Sequence, residues 1–394
     1  MRAGKTIYLD HHATTPIDGR VMEAMAPYLQ EGFGNPHSVD HAMGWAAAKA
    51  VERSATKVGL LIGADPDEII FTSGATEANN LALLGVGRGA LGRGRRRILC
   101  SAIEHKSVLA AGAALRKFWG YEVELIPVDK DGHVLFPALC DLLRDDVLLV
   151  SIMLVNNEIG VIQDIAKISD AVTSVGAMLH CDAAQAPCAV ALRSMGRHVD
   201  LLSLSAHKMY GPKGIGALFV RRALRNRIEP MIYGGGQQYN LRSGTVPTAL
   251  CVGMAEAVAL IDGQDGERER DAVRLLCERL IDGMKRLPWR ITVNGPVTGR
   301  HPGNANVCFE GFVAEDILGV LQPRLAASTG SACASGIPEP SHVLRAIGLS
   351  EEEARGSVRF GVGRNTSESD IDETVSLVRQ ALTKLSRVAP IGTN

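Results

Sequence analysis

The chain has 394 residues, of which 46% are hydrophobic and 22% charged, and it carries a net charge of −1. That length suits one large domain plus a smaller one. The near-neutral balance removes any general electrostatic case for nucleic acid or an anionic membrane, and the longest apolar segment, residues 147–155, is far too short to span a bilayer.

Strand-like segments fall at residues 68–72, 98–101, 123–126, 147–153, 178–181, 201–205 and 216–220, several of them short apolar runs bounded by polar, Gly or Pro residues. Helical patterns lie between them, over 46–62, 75–84, 106–118 and 165–175, with a further helix at 252–261. This alternation predicts a mainly parallel seven-stranded sheet covered by helices, an α/β large domain. A more charged stretch, 263–270, sets a boundary near Asp262. The large domain is therefore expected at 17–262, and a smaller α+β C-terminal domain at 263–394 with residues 1–16.

Eight cysteines stand at 100, 140, 181, 188, 251, 277, 308 and 333, without a Cys-x-x-Cys pair. In a chain of this length they suggest a reducing compartment. The N-terminus meets polar residues before any sustained apolar stretch, which argues against a secretory signal. A cytoplasmic location is expected.

Ligand sites in such folds gather at the carboxyl ends of the strands, and the unusual motifs fall there. Ile69-Ile70-Phe71-Thr72-Ser73-Gly74-Ala75-Thr76-Glu77 reads as strand, small-residue turn and helix start, a cup for an anion or an ordinary capped helix. Ser101-Ala102-Ile103-Glu104-His105 places a histidine where a strand becomes a helix. Val155-Asn156-Asn157-Glu158-Ile159-Gly160 is a turn signal with two amides. His180-Cys181-Asp182-Ala183-Ala184-Gln185 ends in a carboxylate that needs a cationic partner, such as a pyridinium nitrogen. A metal held by His180 and Cys181 is the weaker reading, because adjacent strand residues face opposite sides.

The segment Ser205-Ala206-His207-Lys208-Met209-Tyr210-Gly211-Pro212 delivers a lysine into a Gly/Pro-rich loop. Away from bulk water its amine could form an imine with an aldehyde cofactor, and the competing reading is a solvated loop lysine. Cys333 sits among small residues, where a thiol on an accessible loop suits a nucleophile. Arg359, inside a strand-like run, needs an anionic partner, and a substrate carboxylate is a good candidate. Together these parts suit pyridoxal phosphate acting on an amino acid.

From Tyr8-Leu9-Asp10 to the last helix, the sequence resembles the cysteine desulfurases, the class V branch of the fold-type-I pyridoxal-phosphate enzymes. The most specific segments are Phe33-Gly34-Asn35-Pro36, Glu104-His105, Arg242-Ser243-Gly244-Thr245 and Ser357-Val358-Arg359-Phe360, with the motifs around Thr76, Asn157, Lys208 and Cys333. The resemblance implies that Lys208 holds the cofactor. It implies that Ala75, Thr76, Ser205 and His207 bind the phosphate, joined by Thr245 from the partner subunit of a homodimer. Asp182 would pair with the ring nitrogen, Gln185 with the phenolic oxygen, and His105 would stack on the ring. Asn157 would contact cofactor or substrate, and Asn35 and Arg359 the carboxylate of L-cysteine.

Cys333 would take the sulfur as a persulfide and release L-alanine, with Lys208 and His105 moving protons. The sulfur would then pass to an acceptor protein serving Fe-S cluster assembly or tRNA or DNA sulfur modification. No resident metal is implied, although Cys333 could ligate a cluster transiently. The sequence departs from the family pattern at His11-His12, and at Gln238, Tyr239 and Asn240 where relatives commonly carry Glu-Arg-Gly.

Overall fold

The computed structural model describes residues 2–4, 6–92, 94–330 and 340–388. The seven expected strands are β1 (Ile69–Thr72), β2 (Arg97–Ser101), β3 (Glu122–Ile126), β4 (Val147–Ser151), β5 (Met178–Asp182), β6 (Leu201–Ser205) and β7 (Gly216–Val220). They form one sheet in the order β1-β7-β6-β5-β4-β2-β3. Pairing is parallel from β6 across to β3, while β7 runs antiparallel to both β6 and β1. Alternate residues serve opposite faces. Leu99, Val150, Leu179, Leu204 and Phe219 pack on one side, and Ile98, Leu149, Leu201 and Leu218 on the other. Six of the strands are buried along their whole length and read as largely apolar runs, while the edge strand β3 is exposed or half-buried over most of its residues.

Four helices, α1 (Gly19–Gln30), α2 (Ala42–Ile62), α3 (Ala75–Gly89) and α4 (Lys106–Trp119), precede or follow the first strands. α2 starts four residues before the apolar periodicity does, because the His41 ring accepts the Gly44 N–H at 3.1 Å and caps it. The strand expected over 147–153 ends at Ser151. Its neighbour β2 stops at Ser101, so the next outward N–H, that of Met153, is received by the Glu104 carboxylate group at 2.6 Å.

The charged stretch 263–270 is the start of a helix, Gly263–Lys285. Its polar residues leave one buried face of Val273, Cys277, Leu280 and Met284. That face joins a separate apolar cluster with the helix Glu368–Val388, the antiparallel strands Asn304–Phe309 and Ser357–Gly361, and the N-terminal Ile7 and Leu9.

Two local arrangements fix the region after β1. A Cβ on Gly216 would lie 2.5 Å from the Leu204 carbonyl and 2.7 Å from the Gly74 Cα, so glycine there lets β7 press against the turn that starts α3. β1 is also an edge strand, and edges leave backbone groups unpaired. The Gln238 carboxamide fills that role for Phe71: its Oε1 accepts the Phe71 N–H at 2.7 Å, and its Nε2 donates to the Phe71 carbonyl at 3.0 Å.

Holding it there requires left-handed backbone at three successive non-glycine residues, Gln238, Tyr239 and Asn240, with φ of 50°, 61° and 62°. The Arg225 guanidinium lies 4.1 Å from the centre of the Tyr239 ring and helps offset that cost. Gln238→Ala is expected to lower stability by about 1–3 kcal/mol, since two partly buried peptide groups lose their partner. Urea unfolding checks this, and an unchanged midpoint and slope would show the clamp to be idle.

Candidate active site

A cavity of about 660 Å³ opens where the chain leaves the carboxyl ends of β1, β2, β4, β5 and β6. Each strand contributes to it: Ala75 and Thr76 beyond β1, His105 beyond β2, Asn157 beyond β4, Asp182 and Gln185 from β5, and Ser205, His207 and Lys208 from β6. Arg359, from the strand Ser357–Gly361, reaches in from the second apolar cluster. Ten of the sequence-derived candidates thus meet in one place.

Lys208 sits at the centre. Its Nζ donates to the backbone carbonyls of His12 and, at 2.9 Å, Ala13. Burial, and after it Arg359, lower its pKa from 10.5 to about 8 against the opposing pull of Asp10 and Asp182. An amine tuned this way is available as a nucleophile near neutrality.

Asp182 is buried and held in place. Asn79 Nδ2 donates to Oδ2 at 2.7 Å, and the Ala184 N–H donates to Oδ1 at 2.9 Å. Such a carboxylate suits a protonated ring nitrogen. His180, by contrast, is engaged between the Ser151 and Ser203 hydroxyls at 2.8 and 3.0 Å. Gln185 Nε2 donates to the His12 carbonyl at 2.8 Å, which leaves its amide oxygen to other donors.

His105 occupies the exposed N-cap of α4, where its Nδ1 accepts the Ser107 N–H at 3.1 Å. Enclosure by the cavity walls moves its pKa down, and Asp182 opposes the shift. The Arg359 guanidinium is buried and anchored. It donates to Asp10 Oδ1, Ser328 Oγ and the Asn157 carbonyl, each at 2.9 Å, while its Nε has no partner among the described residues.

The anion cup is also assembled. The 15-residue helix α3 begins at Gly74 with no side-chain cap, which leaves first-turn N–H groups facing the cavity. The Ser205 hydroxyl is buried beside it with no hydrogen-bond partner among the described residues. His207, bonded to Thr14 Oγ1 at 3.1 Å, is lowered to about 4, chiefly by burial and then by Lys208 and Lys213. It therefore offers the cup a neutral ring. An orphaned hydroxyl, an uncapped helix and a nearby amine and carboxylate fit a phosphorylated pyridine aldehyde.

Two candidates are not in this cavity, and a third lies outside the described residues. Asn35 is exposed, its Oδ1 accepting the His37 N–H at 2.9 Å, and has no place on the wall. Thr245 is exposed outside the wall of its own chain. Cys333 lies outside the described residues, though Gly330, shortly before it, lines the cavity.

Four residues escaped the sequence reading. Asn79 orients Asp182, and its signal was only an amide one turn inside a helix that starts at a ligand turn. Asp10 holds Arg359 from 349 positions away, a pairing that no local pattern announces. Glu104 and His12 are buried on the wall. His12, one of the two histidines that depart from the family pattern, packs edge-on against His301 at 4.5 Å, and burial keeps both rings neutral.

Comparison with known proteins agrees with this geometry. The model of the aminotransferase class-V family matches residues 7–374. The chain is 46% identical to "Cysteine desulfurase IscS" of Vibrio cholerae, over 98% of this chain and 95% of that protein. Among solved structures it is similar to a "NifS-like protein", with a TM-score of 0.88 and 32% identity over 96% of this chain and 100% of that one. It is also similar to "SspA in complex with cysteine", with a TM-score of 0.79 and 34% identity over 91% and 99%. The chain belongs to the aminotransferase class-V family, among its cysteine desulfurases.

Proposed function

We propose that this protein is a pyridoxal-phosphate-dependent cysteine desulfurase that converts L-cysteine to L-alanine and carries the sulfur as a persulfide on Cys333. The observation that carries the reading is the convergence of Lys208, Asp182, His105 and Arg359 on one cavity beside an uncapped helix. Similarity to proteins named cysteine desulfurase, and to one solved with cysteine, supports the substrate.

In this reading Lys208 binds the cofactor, and the α3 N-terminus with Thr76, Ser205 and His207 holds its phosphate. Asp182 faces the ring nitrogen and Gln185 the phenolic oxygen, while His105 lies against the ring. Once bound, pyridoxal phosphate supplies an aldehyde for the substrate amine and a ring that accepts electrons from the Cα–H bond. Arg359 orients the substrate carboxylate, with Asp10 fixing the guanidinium plane.

Lys208 Nζ takes the Cα proton and returns it to carbon, which its lowered pKa permits near neutral pH. The Cys333 thiolate forms an S–S bond with the substrate sulfur as the Cβ–S bond breaks. The bond's electrons leave with carbon, which is protonated to the alanine methyl group. A sulfur-acceptor protein then takes the outer sulfur.

The two units of the chain, 17–262 and 263–394 with 1–16, would place the cavity at their junction, since Arg359 arrives from the second apolar cluster. A homodimer would bring Thr245 to the phosphate of the neighbouring copy. Support for it lies in exposed apolar side chains on and between α1 and α2, with Met22, Phe33, Val39 and Trp45 exposed by 55, 71, 74 and 59%. No helix among the described residues is long and apolar enough to cross a membrane, and we place the enzyme in the cytoplasm.

Incubation with L-cysteine and a reductant is expected to yield sulfide and alanine in equal amounts, and Cys333→Ser to reduce both to background while keeping the cofactor's colour. Sulfide released undiminished by that variant would favour another reaction on the same scaffold. Cofactor uptake by the stripped protein should quicken as pH rises through about 8, because the neutral Lys208 amine is the reacting form. Stopped-flow absorbance reads that midpoint, and one near the ordinary lysine value would contradict the desolvated site. Finally, Trp45→Asp should shift the protein toward monomer in light scattering and raise the dissociation constant for pyridoxal phosphate, as Thr245 leaves the site.

A further inference from the structure

Glu104, like His12 and Glu158, is a buried ionisable group of the cavity wall that the proposed reaction does not use. It is fully buried yet lines the cavity. Its Oε1 accepts the Met153 N–H at 2.6 Å, and its Oε2 has no partner among the described residues. Its backbone carbonyl is engaged separately, by His342 Nε2 at 2.9 Å.

The titratable groups that act on the Glu104 carboxyl, or feel it, are Asp182 from β5, Cys100 from β2 and Cys181 from β5. None of these is a cation. Asp182 receives two N–H donors where Glu104 receives one. Two buried carboxyl groups that act on each other ionise together only at a cost.

We propose that Glu104 is a positioning residue that remains a neutral carboxylic acid in the working enzyme and offers its Oε2–H as a hydrogen-bond donor to the occupant of the cavity. Oε1 takes the Met153 N–H, so the carboxyl cannot turn away, and Oε2 is the atom left for a proton. Burial, with Asp182 adding to it, holds the Glu104 pKa well above the carboxylate range, and the Met153 N–H is too weak a counterweight. The pairing also serves Asp182: a neutral neighbour leaves a single negative charge to face the ring nitrogen. A neutral acid kept as a donor by an apolar site is an established way to use a carboxyl group.

This inference rests on the cofactor reading above, and the test separates the two. Infrared spectra of the wild-type protein at neutral pH, with and without pyridoxal phosphate, are compared with Glu104→Gln, and the cofactor's visible absorption is titrated in both. A protonated-carboxyl stretch is expected in the wild type and not in Glu104→Gln. That variant keeps a neutral acceptor–donor pair, so its absorption midpoint should stay within about 0.3 pH unit of wild type. Glu104→Ala lacks the donor and should release cofactor about tenfold faster.

The proposal is overturned by a missing carboxyl band in the wild type. It is equally overturned if Glu104→Gln lowers the absorption midpoint by about one unit or more, the sign expected for loss of a nearby anion. Cofactor release from Glu104→Ala at the wild-type rate also defeats it. If Glu104→Ala does not fold, the infrared and Glu104→Gln results still decide. A wild-type protein that takes up no pyridoxal phosphate would defeat the cofactor reading instead, and the carboxyl band could still be read.

Discussion

The arrangement depends on keeping one amine out of water. Lys208 emerges from β6 into a wall built by the carboxyl ends of four other strands, and two backbone carbonyls receive its Nζ. Desolvation lowers its pKa, and Arg359 adds to that effect without touching it. Were the amine solvated, the same lysine would be protonated almost entirely at neutral pH and would not react with an aldehyde. The cavity's other features matter because they surround this group.

Charge is distributed around it with some economy. Arg359 is paired with Asp10 at 2.9 Å, and its Nε has no partner among the described residues. His207, His12 and His301 are held neutral by burial, so the floor adds hydrogen bonding without adding positive charge. Asp182 is anchored through Asn79 and the backbone of Ala184, and a neutral Glu104 would spare it a competing anion. The same carboxyl group finishes β4, because Met153 has lost its strand partner. Fold and site share that residue.

Much of this was legible before any coordinates. All seven strands of the sheet appear within a residue or two of their apolar runs, and for the six buried ones the reason is that strands covered on both faces leave a largely apolar signature. Lys208, Asp182, His105 and Thr76 stood out because each ends a strand in a small-residue turn. Less readable were the ends of elements that long-range partners decide. His41 starts α2 early, Glu104 shortens β4, and the charged residues after Asp262 form a helix once Val273 and Leu280 find a second core.

The amino-acid sequence by itself determined the strand and helix order, the family pattern and the residue types that carry the chemistry, since periodicity and strand-end motifs are local properties. Tertiary structure alone decided which of those residues meet. Asp10 reaches Arg359 across 349 positions and Gln238 reaches Phe71 across 167, and His12 joins His301. It also left Asn35 and Thr245 outside the cavity of their own chain. Proximity, burial and the pKa values that follow from them arise only when separate segments close around a common volume, and no local pattern encodes that volume.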